Sequence, residues 1–311
     1  MSKLPTPAEI LGQSFKFLPQ ESQLLLITSV LGTSPSWLTY TLLHNSLMNG
    51  ENVVFVSFIN EYAYFREGGK RHGLDLPSHL KKGTLTFIDG FSKLFLPSTP
   101  TPTQSIPTAA APSRVGGVIP SRGGPIPPRQ IPQSQPQAVA TPTDPIKYIS
   151  LGPSPSPTAL RQLDVIKTTL QGLISNGAKP KLVVEGLEVL IAAAGVDARV
   201  VEDLVYDLRE VSSTATILLP SDSVLIQTSS SSTPLELSHA NLVLSLGHAA
   251  DAILSLRLLD TGVAKDISGV LKITRGAGNL GETGGIVEEK EMLYYESDAG
   301  VRIFARGSGG H

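Results

Sequence analysis

Leu31-Gly32-Thr33-Ser34-Pro35-Ser36 is the stretch of this chain best placed for phosphate chemistry. It follows an apolar run, Leu24 to Val30, and precedes a segment with helical spacing. A nucleotide-binding turn at that place ordinarily ends Gly-Lys-Ser/Thr. Its backbone N–H groups cradle the phosphates, its lysine reaches the β and γ phosphates, and its hydroxyl holds magnesium. Here Gly32, Ser34 and Ser36 are present, but Pro35 stands where the lysine belongs. Proline also lacks the N–H that an oxyanion would need. The expectation is a degenerate phosphate loop with no cofactor and no catalytic residue. The alternative is that the stretch is simply one more strand-to-helix turn.

Other residues carry weaker signals. Glu185 closes the apolar run Leu182-Val183-Val184, where nucleotide-hydrolysing cores place a magnesium-binding acid. With no phosphate to share the metal, a carboxylate pairing with a neighbour or with water is the simpler reading. Glu61, just after a second apolar run, has the position of a water-activating base and meets the same objection. Gly276-Ala277-Gly278-Asn279-Leu280-Gly281 matches G-x-G-x-x-G. That fingerprint needs a strand before it and a helix after it within a βαβ unit. This one leads into more glycine and reads as a hairpin loop. Lys70, Arg71, Lys81 and Lys82 form two basic clusters that could touch nucleic-acid phosphates or simply face solvent. The six histidines show no metal-ligand spacing, and no nucleophile elbow is present.

The elements that would position these groups follow from periodicity. Leu24 to Ile27, Val53 to Val56, Leu85 to Ile88, Lys181 to Val184 and Thr216 to Leu219 read as strands buried on both sides, as parallel strands are. Between them, Ser36 to Asn49, Tyr62 to His72, Leu187 to Ala194 and Asp197 to Val211 read as helices. Ser34 is the expected cap of the first of these, with Pro35 at its first position. Pro7 to Ser14 and Leu235 to Leu246 are further helix candidates. Ala252 to Leu259, Val270 to Arg275, Met292 to Glu296 and Val301 to Ala305 read together as an antiparallel tail. The fold class is therefore α/β, with a mainly parallel central sheet and antiparallel C-terminal strands.

Composition bounds the rest. The net charge of −2 argues neither for nor against nucleic acid, and the absence of cysteine excludes disulfide scaffolds and thiolate zinc sites. No apolar run approaches the ~20 residues that span a bilayer, so no membrane partner is expected. Residues 97–157 hold 16 of the 24 prolines, and the βα pattern resumes after them. The reading is one domain, 1–311, with a disordered Pro-rich insertion at 91–157.

The strand at Leu24 to Val30, the Ser-Pro-Ser turn, Trp37 to Leu47, Val53 to Phe58 with Asn60 to Gly73, and Leu182-Val183-Val184-Glu185-Gly186-Leu187-Glu188-Val189-Leu190 together resemble the Elongator subunit 6 family. The likeness spans nearly everything except 91–157 and rests on hydrophobic patterns. It implies a RecA-like fold without working nucleotide motifs. It also implies a place beside subunits 4 and 5 in a hetero-hexameric ring, with contact to the remaining Elongator subunits. The ring would bind tRNA and support wobble uridine (U34) modification, in the cytoplasm, with the nucleus as a second location. Val201 and Leu208 would then be interface rather than core, and the loop Ser221 to Thr233 would face tRNA. Arg257 and Arg275 are the candidates for reaching a neighbour's nucleotide. The rival is a divergent active ATPase of the RecA-like class, and a dinucleotide enzyme built on Gly276 to Gly281 is a third reading.

Overall fold

A computed structural model describes Glu9 and residues 22–96, 146–153, 156–174, 177–260, 262, 264–279, 287–297 and 300–305. The helix expected at Pro7 to Ser14 lies outside these, Glu9 apart.

Strand β1 (Gln23–Ser29) is buried on both faces, as its unbroken apolar run requires. Leu24 and Leu26 point into one core and Leu25 and Ile27 into another. The chain turns at residues 30–35 and enters α1 (Ser36–Met48). It then forms β2 (Val53–Ser57), α2 (Tyr62–Arg71), α3 (Leu76–Lys82) and β3 (Leu85–Asp89). Asp75 caps α3 by accepting from the Ser78 N–H. After the Pro-rich stretch come β4 (Lys147–Tyr148), the short α4 (Pro157–Leu160), a 3-10 turn and α5 (Asp164–Leu173). Ser156 and Pro157 start α4 as expected, with the serine accepting from the Ala159 N–H. Next are β5 (Lys181–Glu185), α6 (Glu188–Ala192), α7 (Ala198–Glu210) and β6 (Thr214–Pro220). A short α8 (Ser223–Ile226) precedes α9 (Pro234–Ala249), whose start is a capping box between Thr233 and Glu236. The chain ends in β7 (Ala252–Arg257), β8 (Gly269–Arg275), β9 (Lys290–Ser297) and β10 (Gly300–Ala305).

These strands form one sheet in the order β10-β9-β8-β7-β1-β6-β5-β2-β3-β4. From β7 through β4 every pairing is parallel; β7–β8, β8–β9 and β9–β10 are antiparallel. Since α1 leads from β1 to β2, it crosses over β6 and β5. Its apolar side, Trp37, Leu38, Leu43 and Leu47, is buried in the core on the sheet face that carries Phe55 and Phe87, where Phe65 of α2 also packs. Strand β9 adds Tyr294 to that face, 5.2 Å from Trp37 between ring centres.

Four expectations need correction. The strand at Ala252 belongs to the parallel sheet, beside β1, so the antiparallel tail starts at β8. Val201 and Leu208 are fully buried within the chain, under the core on the other sheet face. Pro35, not Ser34, occupies the cap position of α1, in helical backbone geometry; Ser34 reaches only the Ser36 N–H, at 3.4 Å. The shoulders of the 91–157 segment pack on the domain. Leu94, Ile149 and Leu151 are buried, and β4 pairs with β3. Residues 97–145 lie outside the described ones. No helix among the described residues is long and apolar enough to cross a membrane.

Candidate functional site

The carboxyl ends of parallel strands are where α/β sheets bind ligands, and the turn at 30–35 lies at the carboxyl end of β1. Its backbone explains the sequence. Gly32 has φ +91, a left-handed conformation that glycine adopts without strain. The Thr33 N–H and hydroxyl both donate to the Val30 carbonyl, at 3.0 and 2.7 Å. The Leu31 N–H donates to Oδ1 of Asp222, 2.9 Å away. The Ser36 N–H is turned to Ser34, and Pro35 has no N–H. The groups that would cradle a phosphate are therefore largely engaged within the protein, and no Lys or Arg lies between Val30 and Trp37.

Three apolar side chains stand out around the turn. Leu31 is 85% exposed, Val224 77% and Leu258 48%. Leu31 and Leu258 follow the ends of β1 and β7, and Val224 lies on α8 just after β6; the three strands are side by side. Gly32 brings the turn close to Leu258: a Cβ there would meet the leucine side chain at 3.4 Å.

Glu185 ends β5, two strands from the turn, paired in register with Ser57 and Leu218. Strand alternation puts it on the same face as Val183, the α1 side. It is buried, and burial together with the nearby Glu188 raises its carboxyl to about 7. Glu188 is likewise raised to about 7 by burial, and its Oε2 has no hydrogen-bond partner. No ion pair among the described residues holds either group. Glu61 is exposed at the start of α2, with no capping bond from its side chain.

Beside the turn lies a cleft of about 600 Å³. Ser34, Ser36 and Tyr40 line it from α1 and its approach, and Glu67, Arg71 and His72 line it from α2 and its end. Tyr40 is buried and stacks on His72, ring centres 4.8 Å apart. Burial, then Arg71, holds the His72 imidazole below its usual value. The cleft brings Arg71 together with Ser34 and Ser36. Lys70 is outside it and paired to Glu67 at 3.1 Å, which with Arg66 lowers that exposed carboxylate. Lys81 and Lys82 are exposed on α3 and do not line the cleft. Both basic clusters fall in the last turns of their helices, where the helix dipole favours cations without any ligand.

The remaining candidates resolve similarly. The Arg257 guanidinium is held by Asp260 at 2.8 Å and Glu291 at 3.2 Å. Gly276 follows β8, which is antiparallel to both neighbours, so no βαβ unit surrounds the glycine motif. Ala277–Asn279 form a single 3-10 turn, and the backbone at Gly276 and Gly278 lies so close to Ala249 and Ala250 that a Cβ would collide. These glycines serve packing, and the dinucleotide reading is set aside. Leu280 and Gly281 lie outside the described residues. His239 is buried with Nε2 3.0 Å from the Pro220 carbonyl, while His248 is exposed.

Sequence reasoning missed Asp222 and the apolar trio around the turn. Asp222 had one local signal: an acid directly before the helical run Ser223–Ile226 ordinarily caps it.

The chain was compared with known proteins. Over 305 residues, 96% of this chain and 96% of the relative, it is 21% identical to the Elongator complex protein 6 homolog of Schizosaccharomyces pombe. Among solved structures it is similar to a KaiC-like protein from the hyperthermophilic archaeon Pyrococcus horikoshii OT3. That likeness has a TM-score of 0.54 at 14% identity, over 91% of this chain and 90% of the other. No protein-family model matches the chain. The fold is that of RecA-type α/β domains, with a mostly parallel sheet extended by antiparallel C-terminal strands.

Proposed function

We propose that this chain is a non-catalytic RecA-type subunit of an Elongator assembly, acting by docking rather than by nucleotide turnover. The observation that carries this is the turn at 30–35. It offers no cation, its N–H groups are largely engaged, and exposed Leu31, Val224 and Leu258 stand around it. RecA-type domains place this edge against the next subunit. With nucleotide chemistry gone, an apolar rim is a surface to be covered by a neighbour. End-to-end similarity to a curated Elongator complex protein 6 homolog supports the same reading.

On this proposal the neighbours are subunits 4 and 5 in a hetero-hexameric ring, together with the remaining Elongator subunits. The ring binds tRNA, supports wobble uridine modification, and works in the cytoplasm and nucleus. The Pro-rich segment is an insertion within a single domain. The turn is a phosphate loop that has lost its lysine, and Glu185 is its former magnesium acid. Lys70, Arg71, Lys81 and Lys82 are the candidates for touching RNA.

The test is co-expression with subunits 4 and 5 and measurement of assembly mass, with and without tRNA. The expected result is a complex containing this chain, weakened at least tenfold by Leu31→Asp with Val224→Asp, the variant alone staying folded. A chain that remains monomeric beside both partners would refute the proposal. A calorimetric titration of the isolated chain with magnesium–ATP separates the rival ATPase: the expected trace is flat.

A further inference from the structure

Asp222 sits at the cap position of α8, with φ −57 and ψ 142, yet its side chain accepts no hydrogen bond from that helix. A capping aspartate normally accepts from the second or third N–H of its own helix. Here the α8 amides of Leu225 and Ile226 reach the Asp222 backbone carbonyl instead. The carboxylate turns away and takes the Leu31 N–H at 2.9 Å, 191 residues distant in sequence. The residue before it makes a parallel link, for the Ser221 N–H donates to the Ser29 carbonyl at 2.8 Å. Two successive residues thus fasten the end of β6 to the end of β1 and the turn after it. Among the described residues no Lys or Arg forms an ion pair with Asp222.

We infer that Asp222 is the turn's resident anion: the chain's own carboxylate occupies an amide that a bound phosphate would take. A carboxylate accepting from a backbone N–H makes a charge-assisted bond, stronger than one between neutral groups. Such a bond holds the glycine-bent turn in shape with no ligand present. It also sets a negative charge at the turn, which an incoming phosphate would meet as like charge. The contact is therefore both a brace and an exclusion device. It deepens the reading of the turn given above but does not depend on any assembly.

The test uses the isolated full-length chain, so that its failure and a failure of the assembly proposal are told apart. Asp222→Ala removes the brace and vacates the amide. Its melting temperature is expected to fall by about 3 °C, the usual scale for one such contact in a domain of this size. Millimolar inorganic phosphate is expected to restore much of that loss saturably, because a ligand bound only by the folded state raises its stability. Chloride at equal ionic strength is expected to restore nothing, and the parent protein is expected to show no such phosphate response. Amide NMR gives a second reading. The Leu31 N–H resonance should move upfield in Asp222→Ala and return on adding phosphate. If Asp222→Ala does not fold, Asp222→Asn keeps the shape and removes the charge. The Leu31 resonance should then shift upfield while the fold is retained. An unmoved Leu31 resonance in either variant would overturn the inference. So would a phosphate response in the parent equal to that of Asp222→Ala.

Discussion

Replacing Glu185 by glutamine is expected to stabilise the protein, and to do so only above mild acidity. The carboxyl is buried, and burial plus repulsion from Glu188 lifts it from an ordinary 4.5 to about 7. A group raised in the folded state binds a proton there that the unfolded chain has already released. Stability is therefore full below the unfolded value, falls as pH climbs between 4.5 and about 7, and is flat beyond. At roughly 1.4 kcal/mol per pH unit, that interval corresponds to about 3 kcal/mol at pH 8. Burial is the larger cause and the nearby Glu188 the smaller, so most of this follows from the site's burial. Glutamine keeps the side-chain shape and carries no charge at any pH. The expected gain is about 2–3 kcal/mol at pH 8, shrinking to under ~0.5 kcal/mol at pH 4.5. Urea unfolding at the two pH values measures it, with proton uptake on refolding at pH 6 as an independent check. A variant less stable than the parent at pH 8, or a gain that does not vary with pH, would refute the reasoning. The same variant discriminates function: an active ATPase would lose turnover on this change, whereas a docking subunit has none to lose.

Further expectations concern packing. Arg209 donates to the carbonyls of Ser22 and Ala249 and to Asp251, which in turn accepts from the Leu24 N–H. Arg209→Ala leaves the buried Asp251 carboxylate without its cation and is expected to cost about 3 kcal/mol in denaturant unfolding. Gly68 lies inside α2, where alanine ordinarily stabilises by about 1 kcal/mol. Here a Cβ would fall 2.0 Å from the Tyr40 hydroxyl, so Gly68→Ala is expected to lower the melting temperature instead. Leu208→Ala, at a fully buried position, is expected to cost about 2–4 kcal/mol of stability in the isolated chain. If its effect appeared only in the assembled complex, the residue would be interface and the packing argument wrong.

What the sequence made legible was what a residue's own neighbours decide. Leu24 to Ile27 and Val53 to Val56 read as doubly buried strands because both sheet faces are covered, and each strand carries that fact in its own residues. Direction is different. Ala252–Arg257 alternates buried and half-buried residues and so read as part of an antiparallel tail. Its parallel pairing with β1 follows from the 16-residue helix before it, which returns the chain to the start of the sheet. The stripe Val201, Val205, Leu208 announced a covered helix face without saying what covers it; here it is the chain itself. Asp222 was least legible of all. One acid in a serine-rich loop has no periodicity, and its partner lies on another strand's turn.

The carboxyl edge of the sheet gathers acids where a nucleotide site gathers cations. Asp222 faces the turn, Glu185 ends a strand two places away, and Glu188 follows it. Arg257, at the end of the neighbouring strand β7, is held by Asp260 and Glu291, and Arg71 lies across the adjoining cleft, which Glu67 and Glu296 also line. A triphosphate brought to this edge would face like charge at the turn. It would also raise further the cost of ionising two carboxyls that burial already disfavours. A protein surface meets neither obstacle. An apolar patch can cover Leu31, Val224 and Leu258, and a basic side chain on its rim would gain from Asp222 rather than be repelled. The edge thus selects among ligands by sign and polarity. On the proposal made above, the ligand it would disfavour is the one around which RecA-type sheets are usually read, and the one it would favour is the kind of neighbour a docking subunit needs.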